Sequence, residues 1–351
     1  MANNHIKTLN IGISYRTILP SLFIGEGSIY GNKLDVLNKK EMKQNNSAIV
    51  YASIAVLSWS TVATAFKIAL MHLTHFGMLL IASCTALALF ITLLTIRKKW
   101  HLVISLSGRK WLYYALLGLL NPVGYYLVLF KAYDLLPAQI AQPVNYIWPI
   151  MLLILLALFT HHPIPSSKYI GMFISLLGVT LISWGTGYSG KETISYYGLL
   201  LALLSALLWA IYWMIQNKQK EKTDSCVALF VSFLFGTVYL LVASYGMAPM
   251  AFTIEGILSG IYIGGFEMGI PFICFGIAMR RASNPALINQ LCYLAPFLSL
   301  FFISVILNEQ ITLTTYAGLT LIVSGIIFNQ YLIPSGKTIR NRMNKVLNEY
   351  K

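Results

Sequence analysis

Residues 137–160 read PAQIAQPVNYIWPIMLLILLALFT, and residues 285–307 read PALINQLCYLAPFLSLFFISVIL. Both open on Pro-Ala, carry amides and a tyrosine in their first half, pass a second proline and end in Leu, Ile and Phe. About 20 mostly apolar residues are needed to cross roughly 30 Å of hydrocarbon. The two stretches therefore read as membrane-spanning helices, 138–160 and 286–307. Their likeness, 147–148 residues apart, points to an internal duplication.

The rest of the chain agrees with a membrane setting. Of 351 residues, 57% are hydrophobic and 10% are charged, and the mean hydropathy is +0.70. A soluble domain carries about 25% charged residues to cover its surface, so a soluble enzyme is excluded, as is a disordered or fibrous protein. Eight further apolar segments lie at 47–67, 76–96, 111–131, 168–185, 196–216, 226–246, 256–279 and 315–333. The expected fold is an all-α integral membrane protein with ten transmembrane helices.

Net charge is +14, and the basic residues fall between apolar segments instead of forming a stripe, which argues against a nucleic-acid partner. Lys and Arg concentrate in cytoplasmic loops of membrane proteins. All but Lys67, Lys131 and Lys191 of the 25 Lys and Arg residues lie on one alternating set of regions: 1–46, 97–110, Lys168, 217–225, Arg280–Arg281 and the tail from 334. Both termini are thus expected in the cytoplasm, with the chain in the cell (inner) membrane. Residues 1–46 read as a polar cytoplasmic tail without a span, translation from Met42 being the alternative, and residues 334–351 as a basic cytoplasmic tail. The cysteines Cys84, Cys226, Cys274 and Cys292 form no CxxC pair and read as buried thiols.

The duplication extends beyond the two opening stretches. Pro149, Gly171 and Gly178 recur as Pro296, Gly318 and Gly325, His162 stands against Glu309, and Trp59 recurs as Trp209. The chain divides into five-helix halves, 47–185 and 196–333. Five spans is an odd number, so the second half enters the membrane from the opposite side, as in inverted-repeat transporters.

The Trp in the first helix of each half, the Pro within the fourth, Glu309 and the Gly-x6-Gly fifth helix resemble the EamA domain, the repeat unit of the drug/metabolite transporter superfamily. The resemblance covers 47–333. Val144-Asn145-Tyr146-Ile147-Trp148-Pro149 and Leu208-Trp209-Ala210-Ile211-Tyr212 leading to Asn217-Lys218 are similar to the aromatic amino acid exporters of that superfamily. The resemblance implies an exporter with a central cavity lined by both halves. His161-His162-Pro163 stands where the second half has Asn308-Glu309-Gln310, so the first half lacks that acid.

Polar residues within a bilayer are costly and face cavities or partner helices. Gln139, Gln142, Asn145 and Tyr146 share one face of the fourth span, and Asn289, Gln290, Tyr293 and Pro296 one face of the ninth. These faces, with Trp148, with Trp209 and Tyr212 of the sixth span and with Tyr126 of the third after the Asn121-Pro122 kink, are the expected substrate-binding residues. Hydrogen bonding between helices is the alternative role for the amides. Glu267 is the acid placed deep in a span, flanked by Gly264, Gly265, Gly269 and Pro271, and is the candidate for a proton or a substrate ammonium. Glu309 reads as ordering the 308–314 turn, by capping the tenth span, and Lys67 as reaching the outer interface.

No Walker loop appears, nor any GxSxG, HExxH or acid pair inside a span, so no catalytic residue, cofactor or metal is expected. His72 and His75 read as loop histidines. The function expected is secondary transport of a small polar metabolite, an amino acid by the resemblance, with a small-molecule substrate and the lipid bilayer as its partners. A channel, a non-transporting scaffold or receptor, and a lipid enzyme are the alternatives.

Overall fold

The computed structural model describes residues 27–160, 168–187, 195–218, 223–247, 252–282, 288 and 291–328. Those residues form helices and connecting turns with no β-strand among them. α1 spans Gly27–Leu70 and α2 His75–Ile96; a short α3, Trp100–Ile104, precedes α4, Gly108–Gly118. A wide π-type segment, Leu119–Gly124, joins α4 to α5, Tyr125–Leu135. α6, Ala138–Asn145, and α7, Trp148–Thr160, meet at a turn. Then come α8, Lys168–Gly187, α9, Tyr196–Lys218, and α10, Ser225–Ser244. α11, Ile254–Ile263, continues through a second π-type segment, Gly264–Gly269, into α12, Ile270–Arg281. α13, Leu294–Leu307, and α14, Leu313–Ile327, close the described chain.

Among the described residues, seven helical stretches are long and apolar enough to cross a membrane: Asn46–Leu70, His75–Ile96, Gly108–Leu135, Ala138–Phe159, Tyr196–Gln216, Ser225–Ser244 and Ile254–Arg281. Three apolar helices are shorter, Tyr169–Ile182, Leu294–Leu307 and Leu313–Ile327. These ten stretches fall on the ten segments read from the sequence, three of them below crossing length. Residues 27–46 of the expected tail continue the first span backward as helix.

Two of the long spans are bent where the sequence dictates it. Pro122 offers no N–H and disfavours helix at its predecessor, and Asn121 has non-helical angles (φ −144°, ψ 115°). In the eighth segment Gly269 leaves the helical region (φ −99°, ψ −85°) and Pro271 starts the next turn. π-type turns inside α-helices are frequent at functional sites. The fourth span breaks at Tyr146, two residues before α7 begins.

α1 packs against α11, α12 and α13, whereas α9 packs against α5, α6 and α7; α2 packs on α10, and α8 on α14. The first helix of each half thus lies against the third and fourth segments of the other half. Small residues let several of these helices touch backbone to backbone. A Cβ on Gly178 or Gly318 would run into the other's carbonyl, and one on Gly325 would run into Gly171. Ser175 between them donates to the Ile322 carbonyl at 3.0 Å. The contacts run in reverse order along the two helices, so α8 and α14 are antiparallel. Gly264 abuts Ala82 and Thr85 of α2 in the same manner.

Phe66, Phe90, Tyr126, Phe130 and Phe233 fill the core, each at most 2% exposed. The outward faces carry Leu57, Leu116, Phe173, Leu241 and Phe301, each more than half exposed. That distribution suits a hydrocarbon solvent, where backbone polar groups are satisfied within helices.

Candidate substrate site

Where α1, α5, α6, α9 and the bent eighth segment converge, aromatic rings enclose one carboxylate. Glu267 is buried at 8% exposure, and its Oε1 accepts from the Tyr126 hydroxyl at 3.0 Å. The backbone carbonyl of Glu267 accepts from the Trp59 indole at 3.4 Å, tying α1 to the bend.

The rings form a continuous set. Tyr125 contacts Tyr126 edge-on at 4.6 Å and stacks on Trp209 at 4.6 Å. Trp209 stacks on Tyr212 at 5.3 Å and meets Phe272 edge-on at 5.7 Å. Phe272 in turn meets Trp59 at 6.3 Å. Offset and edge-to-face arrangements at these separations are the favoured ones. Trp148 stacks on Trp213 at 6.3 Å, and Trp213 lies edge-on to Trp209 at 6.1 Å, so Trp148 joins the set one ring removed.

A polar chain runs beside the rings. Tyr125 donates to Asn145 Oδ1 at 3.4 Å, Asn145 Nδ2 donates to Ser205 Oγ at 2.8 Å, and Ser205 donates to the Ala202 carbonyl at 2.7 Å. Gln216 donates to the Tyr212 hydroxyl at 3.0 Å. Gln142 is buried, and its Oε1 has no hydrogen-bond partner among the described residues. Tyr146 is half-buried at the break between α6 and α7, and Tyr293 is buried at the start of α13.

The structure therefore brings Glu267, Tyr126, Asn145, Trp209 and Tyr212 together and places Trp148 at the margin. Gln290 and Asn289 lie outside the described residues, as do His161 and His162. Ser205, Trp59 and Phe272 are additional members. Ser205 was legible from its spacing, four residues before Trp209 on the same helix face.

Two expected roles change. Gln139 does not share the site: its Nε2 donates to the Gln310 carbonyl at 3.1 Å and its Oε1 accepts from Thr315 at 3.1 Å. Glu309 does not cap the tenth span, whose cap is Thr312 accepting from the Thr315 amide. Its carboxylate instead receives the Ala138 and Gln139 amides at 3.1 and 3.3 Å, at the N-terminus of α6, where free N–H groups favour an anion. Lys67, near the end of α1, also donates to the Tyr133 and Leu136 carbonyls at 3.0 and 3.1 Å. The α5–α6 corner is thus held by a cation from α1 and an anion from the α13–α14 turn.

The opposite end is tied differently. Lys99 pairs with Asp224 at 2.6 Å, and Asp224 also caps α10 through the Cys226 amide. Burial alone would push the Asp224 carboxyl up, but Lys99 and the Cys226 and Val227 amides outweigh it and hold its pKa below 3.8. Arg280 donates to Ser225, and Arg281 donates to Ser47 while lying over the Tyr51 ring. No group of three or more metal-ligating side chains occurs among the described residues.

Residues 46–184 and 196–331 each match the EamA-like transporter family. The chain belongs to the EamA-like transporter family. Similar EamA-like relatives are named as transporters. YvbV of Bacillus subtilis, an uncharacterized transporter, is 27% identical over 62% of this chain and 70% of its own. YdfC of the same organism, also an uncharacterized transporter, is 28% identical over 66% and 72%. An uncharacterized transporter of Archaeoglobus fulgidus is 24% identical over 79% and 96%. A solved crystal structure shares the fold, with a TM-score of 0.59 at 21% identity over 82% of this chain and 98% of that one. This EamA-like chain is accordingly a membrane transporter.

Proposed function

We propose that the chain is a ten-span secondary transporter that exports a small polar metabolite, with aromatic amino acid efflux as its finer function. Its two five-helix halves are inverted repeats that rock about the central site, exposing it alternately to either side of the cell membrane. Both termini lie in the cytoplasm, as the basic residues require.

The observation that carries this reading is the buried Glu267 carboxylate, bonded to Tyr126 beside a ring set drawn from both halves. A buried acid is suited to bind a proton or a substrate ammonium. A carboxylate that takes one on each side of the membrane couples them. The antiparallel glycine contacts of α8 and α14 support the inverted repeat, because a two-fold axis in the membrane plane relates such a pair. The exchanged packing of α1 and α9 supports it equally. Spans bent at the third and eighth positions supply hinges on each side of the site.

Counterflow by the purified protein in liposomes, against labelled amino acids, amines and nucleosides, tests this reading. Aromatic amino acids or amines should accumulate transiently above empty liposomes. If no panel member moves, transport of this class is wrong.

A further inference from the structure

Resting on the amino acid efflux proposed above, we propose that Asn121 reads the ammonium–carboxylate head of the substrate, its Oδ1 accepting from the ammonium and its Nδ2 donating to the carboxylate. Asn121 is 1% exposed, and neither Oδ1 nor Nδ2 makes a hydrogen bond of ordinary geometry among the described residues. It is the one described buried side chain that leaves a donor and an acceptor unmatched together. Buried side-chain amides are nearly always paired, because an unmade bond costs the desolvation of the group.

The ordinary structural role of such a residue is not filled. Asn121 has extended angles (φ −144°, ψ 115°) just ahead of a helical turn, where an asparagine oxygen usually caps the amides that follow. Its Oδ1 caps none of them. The bend is fixed from behind by α10: a Cβ on Gly236 would strike the Pro122 ring. From that support Asn121 approaches the Tyr212 hydroxyl of α9, short of hydrogen-bond geometry. Tyr212 is in turn held by Gln216 at 3.0 Å. The Tyr113 hydroxyl is likewise buried without a partner among the described residues and lies near enough to interact with Tyr212 electrostatically.

A primary amide presents an acceptor and a donor side by side. Its complement must present a donor and an acceptor side by side, as an α-amino acid does with an ammonium and a carboxylate on one carbon. An amine alone or a carboxylate alone satisfies one end and leaves the other unmatched. A ring attached to that head has a stack to join, since Tyr212 stacks on Trp209 and Trp209 on Tyr125. α9 ends at Lys218, so Tyr212 and Asn121 lie on the side of Trp209 that the basic connections assign to the cytoplasm, where an exporter loads. With the ammonium held by Asn121, Glu267 is left to the proton.

Scintillation-proximity binding to the detergent-purified full chain tests this. Unlabelled phenylalanine should displace tritiated phenylalanine from the wild type at concentrations about tenfold or more below those of phenethylamine, which lacks the carboxylate, and of 3-phenylpropanoate, which lacks the ammonium. Asn121→Ala should weaken phenylalanine about tenfold or more and bring the three ligands within about threefold of one another, with the helical circular-dichroism melt of the wild type retained. A role in the bend alone would weaken all three alike and keep their ranking, which would overturn the inference and leave amino acid efflux standing. Equal binding of phenethylamine and phenylalanine by the wild type would overturn it without any variant. Binding of no phenylalanine by the folded wild type would also overturn it, and the counterflow panel then decides separately whether the transport reading survives.

Discussion

Glu267 and Tyr126 sit at the point where burial and chemistry conflict most sharply. A carboxylate in a dry enclosure holds one phenol, and that phenol is itself fully buried between Tyr125 and Phe130. Removing the hydroxyl while keeping the ring isolates the bond. Tyr126→Phe should weaken substrate exchange about tenfold or more, in line with about 1.5–3 kcal/mol for a hydrogen bond to a charged group, with ring packing intact. Exchange kinetics in liposomes that match wild type would mean the phenol only packs. Asp224 offers a contrasting charge, partly exposed and paired. Its folded pKa lies below 3.8, so its stabilisation is fully present above that value and disappears as pH falls through the folded pKa. Asp224→Asn should therefore lower stability in detergent by about 0.5–1 kcal/mol at pH 7, with the difference from wild type closing below pH 3.8. A thermal-unfolding series from pH 3 to pH 7 measures this, and a gap that persists at the acid end would assign the loss to the α10 cap alone.

At the scale of elements, the corner between α5 and α6 is the most heavily tied connection described. Lys67 satisfies carbonyls at the end of α5, and Glu309 satisfies amides at the start of α6. Gln139 adds bonds to Gln310 and Thr315. Each half thus contributes a charge to one corner of the first half, and this is where a rocking motion of the halves must break contacts. Glu309→Ala should loosen that end. In a cysteine-free background, a cysteine at Leu136, which is 1% exposed, should then react with a polar maleimide several-fold faster than in the parent. Equal rates would show that the corner stays closed without the carboxylate and is not a gate. The sequence could not reveal this pairing: Glu309 and Ala138 are 171 positions apart, and only packing of α6 against α13 and α14 brings them together. What was legible was local. Trp209 and Tyr212 share a face at helical spacing, Ser205 completes it, and Asn121-Pro122 marks the bend. Lys67 was read only as reaching the outer interface; its bonds to the α5 carbonyls join positions 66 and 69 residues apart, which spacing does not show.

For the whole molecule, composition made the helical membrane fold legible, and recurring Pro and Gly residues made the halves legible. The glycines at 171, 178, 318 and 325 were visible as a repeated spacing, and the structure supplies a cause, since a Cβ on Gly178, Gly318 or Gly325 would strike the facing helix where α8 and α14 cross. The site was legible only in part, because Phe272 and Trp59 matter through contacts between helices that no single periodicity shows. Orientation in the bilayer follows from charge alone and is the next thing to test. Arg97, Lys98, Lys99, Arg109, Lys110, Arg280 and Arg281 gather at the end where Asp224 and Ser47 lie, whereas the other end, at the α5–α6 corner, holds Lys67 and Lys131. Lys and Arg near span ends are retained in the cytoplasm, so the Lys99–Asp224 end should face inward and the Lys67–Glu309 end outward. Single cysteines at Ser107 and Ser189, in a cysteine-free background, separate the two orientations. An impermeant maleimide added to intact cells should label Ser189→Cys, whereas Ser107→Cys should label only after the membrane is opened. Labelling of Ser107→Cys in intact cells would invert the molecule, and would turn the corner held by Glu309 from an outer gate into an inner one.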